Sequence, residues 1–339
     1  MKTMTIVINH MTRAIFLLIS SSIFALSPIS LAYADEVKQS SVLVIMSYDD
    51  KNNSEREIAQ GIENALTGQR IHYYYLDAKN HPDLAAGNAQ NAYTRYQELK
   101  PDVVIAADDA AQKLFVLPYL LGKTPTPVVF CGVNDSASQY GYPNTQTTGI
   151  IEKKHYRQSI GLAQLIDPRI KKIAIIYRDT PTNATNLAQL KREEKDYGIT
   201  ITSFTAVNSS SELLATLKNL EEENDALLVL NLAGINDDSG NKMEQSAAMA
   251  LTARTWNKPS IGASKNEIED GILCGVAKIN LEQGLVAGTM AQNIIQGKSP
   301  ADIPVTENQN GQRMINATTA YRLGLKLKPM VLIGTTLVQ

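Results

Sequence analysis

Short runs that are apolar on both faces, each followed by a segment of helical period, recur twice along this chain. The runs 41–46 (SVLVIM), 71–76, 103–107 and 128–131 alternate with helical patterns over 54–66, 84–100 and 110–121. The pattern then restarts with 172–177 (KIAIIY), 199–206, 226–230 and 260–263, separated by helical segments at 184–197, 212–222 and 243–256. Strands this apolar belong to parallel sheets covered on both sides by helices. Two such units predict two doubly wound α/β lobes. A further strand at 272–278, a helix at 281–297, a strand at 312–316 and a short helix at 317–323 cross back to complete both lobes. Ser54 with Glu57 reads as a capping box for the first helix, and Asp83 as the cap of the second. Trp256, at a helix end before Pro259, reads as core.

Residues 1–34 have the layout of a secretory signal. Arg13 precedes the apolar run 14–26, and Ala32-Tyr33-Ala34 is a small-residue cleavage site. Cleavage after Ala34 is expected, with Met11 an alternative initiator. The apolar run is shorter than the roughly 20 residues a spanning helix needs. The remainder suits two lobes of about 150 residues each. The formal charge of the chain is −2, and the exported part is more acidic, since the signal holds only Lys2 and Arg13. That balance excludes a nucleic-acid partner, which calls for a basic stripe. Cys131 and Cys274 are compatible with a disulfide or with two buried thiols in separate strands. The histidines at 10, 72, 81 and 155 form no pair at ligand spacing, so no metal site is expected. No cofactor is expected either. The Gly-x-Ser-x-Gly elbow, the Walker loop and the dinucleotide fingerprint are missing, and the Asp pairs show no nucleophile–base arrangement, so the chain reads as a binder and not an enzyme.

Ligands of doubly wound sheets bind beyond the carboxyl ends of the strands. Those loops are 47–53, 77–81, 108–109, 132–136, 178–183, 231–236 and 264–267. They are rich in Asp: Asp49, Asp50, Asp108, Asp109, Asp135 and Asp179. Carboxylates accept from an ammonium or from sugar hydroxyls, and helix N-termini offer N–H groups to a carboxylate, so a zwitterion such as an amino acid fits. An Asp between strand and helix is equally a standard N-cap. Tyr48 and Tyr177 are positioned to stack on a ligand or to pack the lobes, and Arg178 to clamp a carboxylate.

Several stretches carry a resemblance. They are 127–135 (PVVFCGVND), 148–150 (TGI), 167–173 (DPRIKKI), Tyr177 with Asn183, 270–273 (DGIL), Gly284, 294–304 (IIQGKSPADIP), 315–320 (INATTA) and Leu323-Gly324. In that order and spacing the chain resembles the tryptophan/tyrosine-type ABC transporter substrate-binding proteins, of the type 1 periplasmic-binding fold. The resemblance implies a three-crossover hinge, with residues 35–150 plus 275–300 in lobe 1 and 151–274 plus 301–339 in lobe 2. It places Ser47, Tyr48, Asp49, Asp108, Asp109, Asn134 and Asp135 on one wall of a cleft. Tyr177, Arg178, Asp179, Asn183, Asn231 and Ser264 form the other. It implies a periplasmic, monomeric receptor that hands a small molecule to ABC permease subunits. The stretches 47–49, 75–79 and 107–111 look more like the same fold used as an extracellular sensor module. The alternative is therefore a ligand-binding adaptor for a membrane histidine kinase or cyclic-dinucleotide sensor protein.

Overall fold

The strand β1 (Ser41–Met46) is buried at every position, and its alternate side chains enter two different cores. Leu43 and Ile45 pack with Phe115 and Phe130, whereas Val42, Val44 and Met46 pack with Ile58, Ile62, Ala287 and Ile294. The period-2 geometry of a strand thus turns one continuous apolar run into two covered faces. The computed structural model describes residues 39–134 and 136–339. The predicted signal, its cleavage site and Asp135 lie outside the described residues.

Lobe 1 continues with α1 (Asn53–Ala65), β2 (Arg70–Tyr75), α2 (Ala85–Leu99), β3 (Val103–Ala107), α3 (Asp108–Ala111), β4 (Val128–Val133) and β5 (Thr147–Ile151). Beyond α3 the helix runs on in wider π-type turns over Gln112–Leu120, where Pro118 sits inside it. Lobe 2 holds α4 (Tyr156–Ile166), β6 (Lys172–Tyr177), α5 (Pro181–Glu193), β7 (Thr200–Ala206), α6 (Ser210–Glu221), β8 (Ala226–Val229), α7 (Gln245–Thr255), β9 (Ser260–Gly262), α8 (Lys265–Glu269) and β10 (Cys274–Lys278). The chain then returns to lobe 1 for α9 (Asn280–Ile295) and β11 (Thr306–Glu307). It finishes in lobe 2 with β12 (Gly311–Asn316), α10 (Ala317–Arg322), α11 (Pro329–Leu332) and β13 (Thr335–Val338).

The sheet of lobe 1 has the order β11-β5-β4-β3-β1-β2, and that of lobe 2 the order β13-β12-β10-β9-β8-β6-β7. Every pairing is parallel except β10 with β12. The chain therefore passes between the sheets three times, near 152–155, at 279 and at 308–310. The strand pairing moves two of the expected boundaries. Residues 274–278 pair with β9 and β12 in lobe 2, and 306–307 pair with β5 in lobe 1. Two-residue β11 has too little sequence pattern to be seen without its partner.

Helix α9 belongs to lobe 1 because small residues let it lie against α1. A Cβ on Gly284 would meet the Ile58 carbonyl at 1.9 Å, and one on Gly61 the Leu281 carbonyl at 2.3 Å. Two expected caps are displaced. Asn52, not Ser54, caps α1, accepting from the N–H groups of Ser54 and Glu55. Leu84 stands at the cap of α2 with no side-chain bond, so Asp83 does not cap it. Trp256 is buried and donates its indole N–H to the Pro259 carbonyl at 3.0 Å. Cys131 and Cys274 are buried free thiols. They sit in strands of different sheets, which removes the disulfide reading. Among the described residues no helix is long and apolar enough to cross a membrane.

Candidate functional site

Two cavities flank the crossovers, and both lobes wall each of them. The first, about 460 Å³, is lined from lobe 1 by Asn134, Ser136 and Glu307, from the first crossover by Glu152 and Lys153, and from α5 by Ala188 and Arg192. The second, about 480 Å³, is lined by Ser54, Glu57 and Gln60 of α1, by Ser264 and Asn266 beside α8, and by Lys278 and Asn280. Of the residues expected at the site, Asn134 reaches the first cavity and Ser264 the second.

The lobe-1 wall is built on the ends of β1, β3 and β4. Ser47 is buried. Its hydroxyl donates to the Ala107 carbonyl at 2.6 Å and accepts the Ala111 N–H at 2.8 Å, tying β1 to the start of α3. Asp108 follows β3 with φ +62, a left-handed backbone uncommon outside glycine. Gly132, itself at φ +66, makes room for it: a Cβ there would stand 3.3 Å from the Asp108 Cγ. Asp109 accepts from the Asn134 N–H at 3.1 Å and from the Tyr140 hydroxyl at 2.6 Å. The half-buried Tyr48 donates its N–H to Glu55 at 2.9 Å. Asp49 serves its own loop, accepting from the Asn52 N–H and the Asn80 amide.

The lobe-2 wall is largely self-contained. The Arg178 guanidinium donates to the Ala233 carbonyl at 2.5 Å and lies over Gly234, whose added Cβ would stand 2.4 Å from it. Buried Asn183 donates to the carbonyls of Arg178 and Asn231, both at 2.8 Å. The Asn231 side chain accepts the Ala233 N–H. Tyr177 packs against the lobe-2 core. Thr180, not Asp179, caps α5, and Asp179 is exposed. Ser264 forms a capping box with Glu267. Arg178 thus gives one guanidinium N–H to its own loop.

Buried charged side chains gather at the floor between the cavities, and strand ends nominated one of the four. Glu55, Glu152 and Lys278 join Asp108 there. Glu55 and Glu152 are 1% and 7% exposed. The Lys278 ammonium pairs with Glu152, joining the end of β10 in lobe 2 to the residue after β5 in lobe 1. Burial lowers the Lys278 pKa, but the charges of Glu152 and Asp108 outweigh it and hold it above the usual lysine value. Burial raises Glu55 to about 7. Burial, then the charges of Glu55 and Glu152, push Asp108 well above the carboxylate range. Burial, followed by Asp108 and Glu55, raises the Tyr48 phenol. Lys154, in the first crossover, is lowered by burial and by Lys278. One signal for Glu55 was available: it stands at i to Ile58 and Ile62 at i+3 and i+7, a charge on the apolar stripe of α1.

Comparison with known proteins agrees with this architecture. A family model described as "ABC transporter substrate binding protein" matches residues 41–338. Among solved structures, a Streptococcus pneumonia ABC domain in complex with L-Trp aligns at TM-score 0.59 and 19% identity, covering 89% of this chain and 100% of that one. The ligand-free, open form of a substrate binding protein with adhesive properties from Clostridium difficile aligns at TM-score 0.69 and 16% identity, covering 88% and 100%. A conserved domain protein from Vibrio cholerae aligns at TM-score 0.58 and 19% identity, covering 89% and 100%. At such identities the structural likeness speaks for the fold alone. No curated protein matches the sequence. The matched family is one of binding proteins rather than an enzyme class. With two wound lobes, three crossovers and a family model spanning nearly its whole described length, the chain belongs to the ABC transporter substrate binding protein family.

Proposed function

We propose that this protein is an exported receptor, released into the periplasm after signal cleavage. Working as a single chain, it captures a small zwitterion such as an amino acid between its lobes and presents it to the permease subunits of an ABC importer. The observation that carries this reading is the pair of cavities at the crossovers, each walled by both lobes. Closure of two lobes about such a hinge buries a solute and alters the outer surface at once. The cavities offer both signs of charge: Glu152, Lys153 and Arg192 in the first, and Glu57, Lys265 and Lys278 in the second. Because one structural neighbour holds L-Trp, aromatic amino acids head the candidates, followed by other amino acids, short peptides and sugars.

A thermal-shift screen of those compounds tests the reading. A ligand at one hundred times its Kd adds about 2.7 kcal/mol, a clear rise in melting temperature. Ala188→Trp fills the first cavity and Gln60→Trp the second, both from helix faces outside the cores. At least one filler is expected to abolish the shift. Undiminished binding in both would remove the cleft as the site. Co-purification with permease and ATPase subunits is the expected result of membrane pull-down. Recovery of a histidine kinase or cyclase instead would transfer the same cleft to sensing.

A further inference from the structure

The cleft floor holds more buried carboxyl groups than basic ones. Glu55, Asp108 and Glu152 are 1%, 7% and 7% exposed, and the Lys278 ion pair falls on Glu152. The Asp108 carboxyl accepts no hydrogen bond from a described residue; its environment is burial and neighbouring charge. Glu55 accepts the Tyr48 N–H with one oxygen, and its other oxygen, Oε2, is buried with no partner. Carboxyls buried for structural reasons accept N–H groups or pair with a base. These two do neither fully, although they come from separate elements, the first turn of α1 and the end of β3. Asp108 is also kept at φ +62 with glycine at 132 opposite it. A strained backbone that aims an unpartnered side chain is a mark of a binding position.

We propose that Glu55 and Asp108 form a seat for the cationic group of the solute, a protonated amine or a guanidinium, beside the Glu152–Lys278 pair. An ammonium brings three N–H donors and no acceptor. It satisfies Glu55 Oε2 and the Asp108 carboxyl together, and its charge favours their ionised forms. Lys278 already shows how a cation sits on this floor, through Glu152 and the field of Asp108. Other groups around the pair are Tyr48, Tyr75, Asp49, Asp109 and Cys131. Apart from Lys278 none of them is a base. With the floor empty, burial favours the protonated carboxyls; an arriving cation favours the ionised ones, so binding releases protons and tightens as pH rises. The seat rests on solute capture in the cleft and names the chemistry of its lobe-1 end.

The test compares matched probes on the signal-free chain by thermal shift and calorimetry. The cations are tyramine, agmatine, cadaverine and L-lysine. The uncharged partners are 4-ethylphenol and 1,5-pentanediol, the anions 3-(4-hydroxyphenyl)propionate and glutarate, and calcium chloride is the inorganic control. At least one organic cation is expected to bind, with affinity about tenfold higher at pH 8 than at pH 6 and proton release measured across buffers of different ionisation enthalpy. Glu55→Gln keeps the acceptor for Tyr48, and Asp108→Asn suits a left-handed backbone, so both variants should fold and lose that binding by about tenfold or more. Each, empty at pH 8, should melt above the native chain. The seat is overturned if no organic cation binds, if uncharged or anionic partners bind as well as the amines, if calcium alone binds, or if the empty variants melt lower. Binding of an uncharged probe that Ala188→Trp or Gln60→Trp abolishes would leave capture standing without the seat. A cation that ignores both fillers would remove the cleft itself.

Discussion

On the lobe-1 side of the cleft, Asp108 follows β3 in a left-handed backbone, and its carboxyl accepts no hydrogen bond from a described residue and lies near the buried carboxyls of Glu55 and Glu152. On the lobe-2 side, Arg178 follows β6 and gives its guanidinium to the Ala233 carbonyl, while Asn183 bonds the carbonyls of Arg178 and Asn231. Both loops stand at the carboxyl end of a parallel strand, where ligands of this architecture bind. The difference lies in how each loop satisfies its own backbone. Lobe 1 does so with Ser47, Asp49, Asp109 and Gln283, the last accepting the Gly132 N–H at 2.9 Å, and the Asp108 carboxyl takes no part in that bonding. Lobe 2 does so with Arg178, Asn183 and Asn231. Position in the fold nominates a residue; the local hydrogen-bond ledger decides whether it is free to act.

This contrast predicts opposite signs for polar substitutions on the two walls. The largest effect is expected at Asn183. Asn183→Ala removes both amide hydrogen bonds; the Asn231 carbonyl keeps the Arg178 N–H, but the Arg178 carbonyl loses its amide donor, at a cost of about 1–3 kcal/mol, measured as a lower midpoint in urea. Glu55→Gln is expected to stabilise the empty protein at pH 8, by about 1–2 kcal/mol, since it removes a buried charge and keeps the acceptor. If both substitutions destabilise, the two walls are alike and the contrast fails.

The pH dependence sharpens the same point. The folded value of Glu55, about 7, lies above its ordinary 4.5, so the unfolded chain gives up this proton first. The contribution of Glu55 to stability is complete below about pH 4.5 and is lost as pH rises through 7. Melting temperatures of the native chain and Glu55→Gln should therefore converge in acid and separate between about pH 4.5 and 7. Parallel curves throughout would show that Glu55 titrates normally. The smallest effect is reserved for Asp179→Ala, an exposed side chain that caps nothing. A change within about 0.5 kcal/mol is expected by urea unfolding, and a larger loss would mean that lobe 2 relies on this residue after all.

Much of the fold was legible in the residues because its signals are local. The apolar runs at 41–46, 103–107 and 172–177 appear as β1, β3 and β6 at those bounds. Trp256 lies in the core as its place before Pro259 suggested. What escaped was information that depends on a distant partner. Strand β11 has two residues and exists through its pairing with β5, and β13 is set by β12. Within the site, Asp108, Asp109 and Asn134 could be named from strand ends. Glu152 and Lys278 could not, because each is a single charge at a crossover and acquires meaning from the other.

Composition and periodicity alone determined that this chain makes two wound α/β lobes, since alternating apolar runs and helical stripes can be buried in few other ways. Tertiary structure alone decided which charges meet. Glu55 is 97 residues from Glu152 in number and Lys278 lies on the other lobe, yet burial brings them with Asp108 to one floor. Apolar burial is additive along a segment and can be read there, whereas the behaviour of a charge depends on the dielectric and the neighbours that only the folded chain supplies.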